Sequence, residues 1–376
     1  MVIVYRCVVC VLLACTSVVA LGENKAVVEQ DAPKYHVDTV AKGLEHPWAI
    51  AFLPNNDVLV SERAGRLRII REGELLPTPV TGLPKIYARG QGGLLGLLPA
   101  TDFADSKMLY MAYSHGDKNA NTLRIARGKL QGNSLVDVEV IFTAEAWRSS
   151  SAHYGGRMLW LPDGTLLGAT GDGGRHQEKA QTLDNMFGKS FRINSDGSVP
   201  EDNPFVNKAG ALPEIWSYGH RNPQALVYDA DTNIVYMHEH GAKGGDELNH
   251  ILPGNNYGWP AITHGVNYNG STISPYTSLP GMEQPLVYWV PSIAPSGMAL
   301  YRGDKFASWR NNLFIAALKE RSVRRLEMNK REVASQEVLF TELGERIREV
   351  QEGPDGYLYL LTDSPRGKVL RIRPTQ

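Results

Sequence analysis

Along the chain one unit recurs: a turn rich in Pro, Asp, Asn or Gly, then a strand of alternating or continuous apolar residues, a polar link, and a second strand. Residues 53–57 lead into VLVSE and then RLRII; residues 102–105 lead into MLYMAY and later TLRIARGKL. Residues 161–164 lead into TLLGATGD, and residues 229–232 into IVYMHEHG. Residues 309–312 lead into LFIAALK and SVRRLEM; residues 353–356 lead into YLYLLTD and KVLRIRP. Six such copies, at a spacing of roughly 45 to 80 residues, exceed a minimal propeller blade by the length of inserted loops. No stretch keeps a 3.6-residue period, so each copy reads as two neighbouring strands of a four-stranded blade. The pattern predicts an all-β chain folded as a six-bladed β-propeller over residues 35–376. Two stretches, 171–213, polar and turn-rich, and 241–285, with only short strand-like pieces, are expected to be loops over one end of the channel. Long loops in a compact domain usually carry function.

Composition adds limits. The chain has 376 residues, a formal charge of −1, and 37 glycines with 22 prolines, the turn supply an all-β chain needs. The near-neutral balance leaves no footprint for nucleic acid. All three cysteines, Cys7, Cys10 and Cys15, fall in the first 22 residues. There Arg6 precedes a short apolar run, as in a secretory signal, with a small-residue cleavage site after Ala20. Cys15 after Leu-Leu-Ala offers a lipoprotein-type alternative. Either reading places the protein in the periplasm or outside the cell without a membrane span. The remaining domain has no thiol chemistry.

The candidate chemistry sits at strand ends. His153 stands between Ser149-Ser150-Ser151-Ala152 and Gly155-Gly156, a setting that leaves room for close approach of a ligand. Gln91 is set among glycines, Arg221 and Asn222 precede Pro223, Lys319 ends LFIAAL, and Arg346 and Arg348 share one face of a strand. A histidine base with cations and amides converging suits an anionic, oxygen-rich ligand. His238-Glu239-His240 lacks zinc-protease spacing. The Gly244–Asn249 loop, with Asp246 and Glu247, offers the hard oxygen donors calcium takes. Phosphate-loop and dinucleotide spacings fail, and there is no G-x-S-x-G.

Several motifs together resemble the soluble PQQ-dependent aldose sugar dehydrogenases, of the glucose/sorbosone dehydrogenase type. These are GLEHPWAIAFLP, RGQGGLLGL, AHYGGRM, DNMFGKSFRINSDGSVPEDNPF, IWSYGHRNPQAL, GGDELNHILPGNNYGWP and RIREVQEGPDGYLYLLTD, spanning residue 43 to the C-terminus. The resemblance implies oxidation of aldoses at C1 to the lactone, with hydride passing to PQQ, His153 as general base, and an electron acceptor it does not identify. It implies Arg221 and Asn222 at the quinone oxygens and Gln91 at the cofactor rim, with Lys319, Arg346 and Arg348 on the PQQ carboxylates. Calcium is expected on the backbone carbonyls of Gly241 and Ala242, and a second ion at Glu247 and the Tyr257 carbonyl. Two departures stand out. Ala152 takes the place of an aspartate that some relatives carry before the base, so another partner must orient the imidazole. Val290 stands before Pro291 where those relatives stack the sugar on an aromatic. The alternatives are a calcium-dependent propeller hydrolase, lactonase-like, with carboxylates and asparagines at the channel centre, and a binding propeller without chemistry.

Overall fold

The computed structural model describes residues 35–375. Its strands form six four-stranded antiparallel sheets. Blade 1 runs Pro47–Phe52, Val58–Glu62, Arg66–Arg71, Glu74–Leu75, and blade 2 runs Leu94–Pro99, Met108–Gly116, Asn121–Gln131, Ser134–Thr143. Blade 3 begins at Met158–Trp160, blade 4 at Pro223–Asp229, blade 5 at Pro295–Leu300 and blade 6 at Ile347–Glu352. These six first strands touch one another in cyclic order, and the last packs against Pro47–Phe52. The chain is therefore a six-bladed β-propeller, as the turn-and-strand repeat predicts. The apolar strands read from the sequence are the second and third of each blade.

Blade 6 takes its outermost strand from the other end of the chain. Tyr35–Leu44 pairs with Gly367–Pro374, Tyr35 opposite Pro374 and Leu44 opposite Gly367. Asp38 accepts from Arg371 at 3.2 Å and from Arg373 Nη2 at 2.9 Å across this seam. The expected leader, with its cleavage site after Ala20 or at Cys15, lies outside the described residues. Among the described residues no helix is long and apolar enough to cross a membrane.

The core is divided among six clusters, one at each interface between blades. In Leu313–Ala317, Leu313, Ile315 and Ala317 pack towards blade 4, whereas Phe314 and Ala316 pack towards blade 6. A strand with both faces buried has no polar face to show, which is why it reads as continuous apolar sequence.

The first loop stretch needs correction, and the second holds one of the short strand pieces expected in it. Lys189–Ile193 and Asp246–His250 are strands inside them, the third strands of blades 3 and 4. The segments that reach the site are 171–188, 240–245 and 251–286. The channel itself is barred midway. Arg157, before the first strand of blade 3, pairs with Glu349 on that of blade 6, the blade opposite. Arg157 also donates Nε to Gln224 O at 2.7 Å and stacks 4.0 Å from the centre of the Trp48 ring. On one side lies a cavity of about 620 Å³, with Arg157 and Glu349 among its lining. On the other is a separate cavity of about 210 Å³, lined by Trp48, Arg63, Gln91, Asn222, Arg346, Arg348 and Asp363, among others.

Candidate active site

His153 borders the smaller cavity, which the two residues after it, Tyr154 and Gly155, line. Its backbone has φ 51°, in the left-handed region that non-glycine residues rarely enter, and glycines follow at φ 69° and 94°. Strain of this kind persists where the surroundings hold it. Gln91 does so by accepting the His153 N–H on its side-chain oxygen at 2.8 Å, while its own N–H donates to Ser151 O at 2.8 Å. A side chain at Gly171 would strike the His153 carbonyl, and one at Gly155 would strike that of Ala169, so both glycines allow the backbones to touch.

The imidazole is oriented by Asp172, at the end of Leu166–Thr170. His153 Nδ1 lies 2.6 Å from Asp172 Oδ1. The same oxygen accepts Gly174 N–H at 2.7 Å, and Oδ2 accepts the Trp259 indole N–H at 2.9 Å. With both oxygens engaged, the carboxylate holds the Nδ1–H tautomer and leaves Nε2 as the free basic nitrogen. Burial lowers the imidazole pKa below its ordinary value, and Asp172 only partly offsets this. Burial pushes Asp172 up, but His153, Arg221 and the Gly174 N–H outweigh it and keep the acid below its usual range. The result is a neutral base with a fixed counter-charge. This is the orienting partner that Ala152 cannot supply.

The cavity floor is cationic. Arg63, Arg346 and Arg348 face a single carboxylate, Asp363, which accepts from Arg348 at 3.1 Å and from His46 Nδ1 at 2.8 Å. Burial would raise Asp363, yet Arg348, His46, Arg63 and Arg346 hold it well below the carboxylate range. Burial brings Arg348 down to about 10 despite Asp363, which leaves it charged at neutral pH.

Beside this cavity a smaller one is lined by Arg221, Glu239, Gly241, Glu247, Tyr257 and Trp259. Arg221 stacks 5.2 Å from the Trp259 ring centre and donates to the carbonyls of His240 and Gly241. Glu239 accepts His220 Nδ1 at 2.9 Å and the Asn222 N–H at 3.3 Å. Glu247 opens into the same space with only Asn249 as a weak partner, at 3.4 Å. Burial, with Glu239 nearby, pushes Glu247 up to about 8. Asp246 behaves differently: it accepts from Gly241 N, Ser292 Oγ, Ile293 N and Ala294 N at 2.7–2.9 Å. It clasps loops, and of the two acids in this stretch only Glu247 faces the cavity.

The family model for Glucose / Sorbosone dehydrogenase matches residues 44–371. The chain belongs to this family. It is 41% identical over 345 residues to aldose sugar dehydrogenase YliI of Escherichia coli strain K12, covering 90% of this chain and 93% of that one. The crystal structure of the soluble aldose sugar dehydrogenase of Escherichia coli in the apo form superposes with a TM-score of 0.88 at 40% identity, over 91% of this chain and all of that one. The PQQ-bound form of aldose sugar dehydrogenase from Streptomyces coelicolor does so with a TM-score of 0.73 at 29% identity, over 91% of this chain and all of that one.

In this dehydrogenase-family chain, Gln91, Asn222, Arg346 and Arg348 line the cavity with His153 at its rim, and Arg221, Gly241, Glu247 and Tyr257 line the adjoining one. Ala242 is buried next to Gly241. Lys319 is exposed just past Leu318, which does line the larger of the two. Sequence reasoning missed Asp172, Asp363, Arg63 and Glu239. Asp172 left a trace, an aspartate flanked by glycines in GATGDGG at the end of an apolar strand.

Proposed function

We propose that the protein is a PQQ- and calcium-dependent dehydrogenase of the periplasm or extracellular space, oxidising aldoses at C1. The observation that carries this reading is the His153–Asp172 pair at the rim of a cavity where three guanidinium groups meet one carboxylate. A ligand with several carboxylates balances that excess of positive charge, and charge-assisted pairs with Arg are the strong ones. Arg63, Arg346 and Arg348 would hold its acidic groups, with Lys319 at the edge, and Gln91, Asn222 and Arg221 would line its remaining rim. When bound, PQQ supplies the hydride acceptor, and calcium a Lewis acid for its carbonyl.

The calcium positions differ in fit. Glu247 and the Tyr257 carbonyl, with Glu239 close by, form an oxygen set whose mutual repulsion a dication relieves. At Gly241 and Ala242, the Gly241 carbonyl is engaged by Arg221, so an ion there requires the guanidinium to turn towards the cofactor cavity.

The chain's own residues then perform the proton step. The anomeric hydroxyl donates to His153 Nε2, the imidazole accepts the proton, and Asp172 stabilises the imidazolium through Nδ1–H. The channel centre holds the Arg157–Glu349 pair instead of the carboxylates and asparagines a lactonase-like hydrolase needs for its ion. The test is reconstitution of the purified protein with PQQ and calcium, followed by dye reduction with glucose, xylose and maltose. Turnover requiring both additions is expected. His153→Ala should retain PQQ binding and lose roughly 10²- to 10⁴-fold in kcat. No dye reduction with any aldose would overturn the reading.

A further inference from the structure

A fourth cavity, of about 610 Å³, opens beside His153. Its lining runs from Tyr87 and Arg89, through Lys118 and Asn119, to Ser149–Ala152 and Gly173–Arg175. Two of its lining residues, Ala152 and Gly174, lie against the histidine. A methyl group added at Gly174 would lie 3.2 Å from the Ala152 Cβ and 3.8 Å from His153 Nδ1. The wall it shares with the cofactor cavity is the Gln91–Ser151 contact described above.

Arg89, Lys118 and Arg175 are exposed, and none has an ion-pair partner among the described residues. Asp117, on the same turn as Lys118, is occupied by the N–H groups of Asn119 and Ala120, at 2.7 and 3.1 Å. A fourth cation lies beneath the floor. Arg148 is 5% exposed, stacks 4.2 Å from the centre of the Tyr154 ring and donates Nη1 to Ala146 O at 2.8 Å, while its Nε and Nη2 have no hydrogen-bond partner. A methyl group added at Gly173 would lie 2.6 Å from Arg148 Cδ and 3.3 Å from its Nε. Ala152 adds no charge at the end nearest the base. Unpaired cations, three serines, an asparagine and a tyrosine ring are the groups that recognise a hydroxylated anion.

Resting on the aldose dehydrogenase reading, we propose that this cavity is a subsite for a negatively charged part of the sugar. The preferred substrates are aldoses that carry a carboxylate or phosphate away from C1. The reacting ring sits at His153 above the cofactor cavity, and its anionic substituent passes over the Gln91–Ser151 rim to Arg89, Lys118 and Arg175. The volume suits a small molecule more than a docked protein.

The test uses the PQQ- and calcium-reconstituted protein with a cationic phenazinium acceptor. It compares glucose, glucuronic acid and glucose 6-phosphate in the wild type and in the Arg89→Gln/Lys118→Gln/Arg175→Gln variant. At low ionic strength the anionic sugars should exceed glucose in kcat/KM by about tenfold or more. The advantage should shrink with salt and vanish in the variant, whose glucose turnover stays unchanged. An advantage confined to glucuronic acid, or to the phosphate, identifies which anion the subsite takes. Parity among the sugars in the wild type, or a preference that survives the substitutions, overturns the proposal. So do substitutions that leave every sugar unaffected and slow only reduction of the anionic dye dichlorophenolindophenol, which would assign the cavity to the acceptor. If no sugar is oxidised, the aldose dehydrogenase reading fails on its own. Calorimetric titration with glucuronic acid against glucose then decides the subsite.

Discussion

Replacing Asp172 by asparagine probes the base without changing its size. The carboxylate serves three donors: His153 Nδ1–H and Gly174 N–H on one oxygen, the Trp259 indole N–H on the other. An amide has only one acceptor oxygen. Turned towards Trp259, it presents its NH₂ to Nδ1, drives the ring proton to Nε2 and abolishes the base. Turned towards His153, it keeps the tautomer but sets two donors face to face 2.9 Å apart at the indole. An unsatisfied buried donor costs about 1–3 kcal/mol, so neither orientation is clean. In both, the imidazolium loses a charge-assisted hydrogen bond of about 1.5–3 kcal/mol, roughly ten- to 150-fold in rate. With the tautomer loss added, kcat should fall about 10²- to 10⁴-fold while PQQ affinity holds. Trp259→Phe in the same chain removes the indole donor and favours the productive orientation. The double variant should therefore be several-fold faster than Asp172→Asn alone, although the charge loss remains. Dye-reduction kinetics with glucose, beside PQQ titrations, measure both. A single variant within a few-fold of wild type, or a double variant no faster than the single, would refute the tautomer argument.

Other consequences follow from the same geometry. Because burial places the His153 pKa below the ordinary histidine value, the acid limb of kcat/KM should have its midpoint below 6.5. Asp172 raises that pKa, so Asp172→Asn should move the limb to still lower pH, a shift a purely structural role would not produce. Calcium should raise the thermal midpoint of the wild type, by the equivalent of about 2.7 kcal/mol at 100 times its Kd. Glu247→Gln should lose most of that gain, which paired melts with calcium and with chelator would show. Glu349→Gln leaves Arg157 without its anion in a buried setting and should cost about 3–5 kcal/mol in urea denaturation. Arg157→Leu/Glu349→Leu should cost less than that single change.

Legibility in the sequence follows burial. Strands such as Leu313–Ala317 and Leu358–Thr362 announce themselves because both faces pack against neighbouring blades. The inner strands are harder to read. Pro295–Leu300 lines the channel with small residues, since Gly297 lies against Glu349, and Met158–Trp160 has only three residues. The closing strand Tyr35–Leu44 pairs with residues some 330 positions away, which no local pattern records. The site divides in the same way. His153 stood out because glycines and serines around a histidine are unusual, whereas Asp172 after a strand looks like any turn aspartate. Asp363, among Leu-Thr-Asp-Ser-Pro, gives no hint of the three arginines it serves.

The ion pair across the channel divides it into two chambers. The cavity lined by Arg346 and Arg348 and the far cavity share no lining residue, so on the proposed reading nothing passes to His153 from the far side of the pair. If sugar and electron acceptor both approach from the near chamber, they take turns, each waiting for the other to depart. A crowd of sugar at that threshold would then delay the acceptor, and the rate should peak at a sugar concentration set by how promptly the acceptor takes its place.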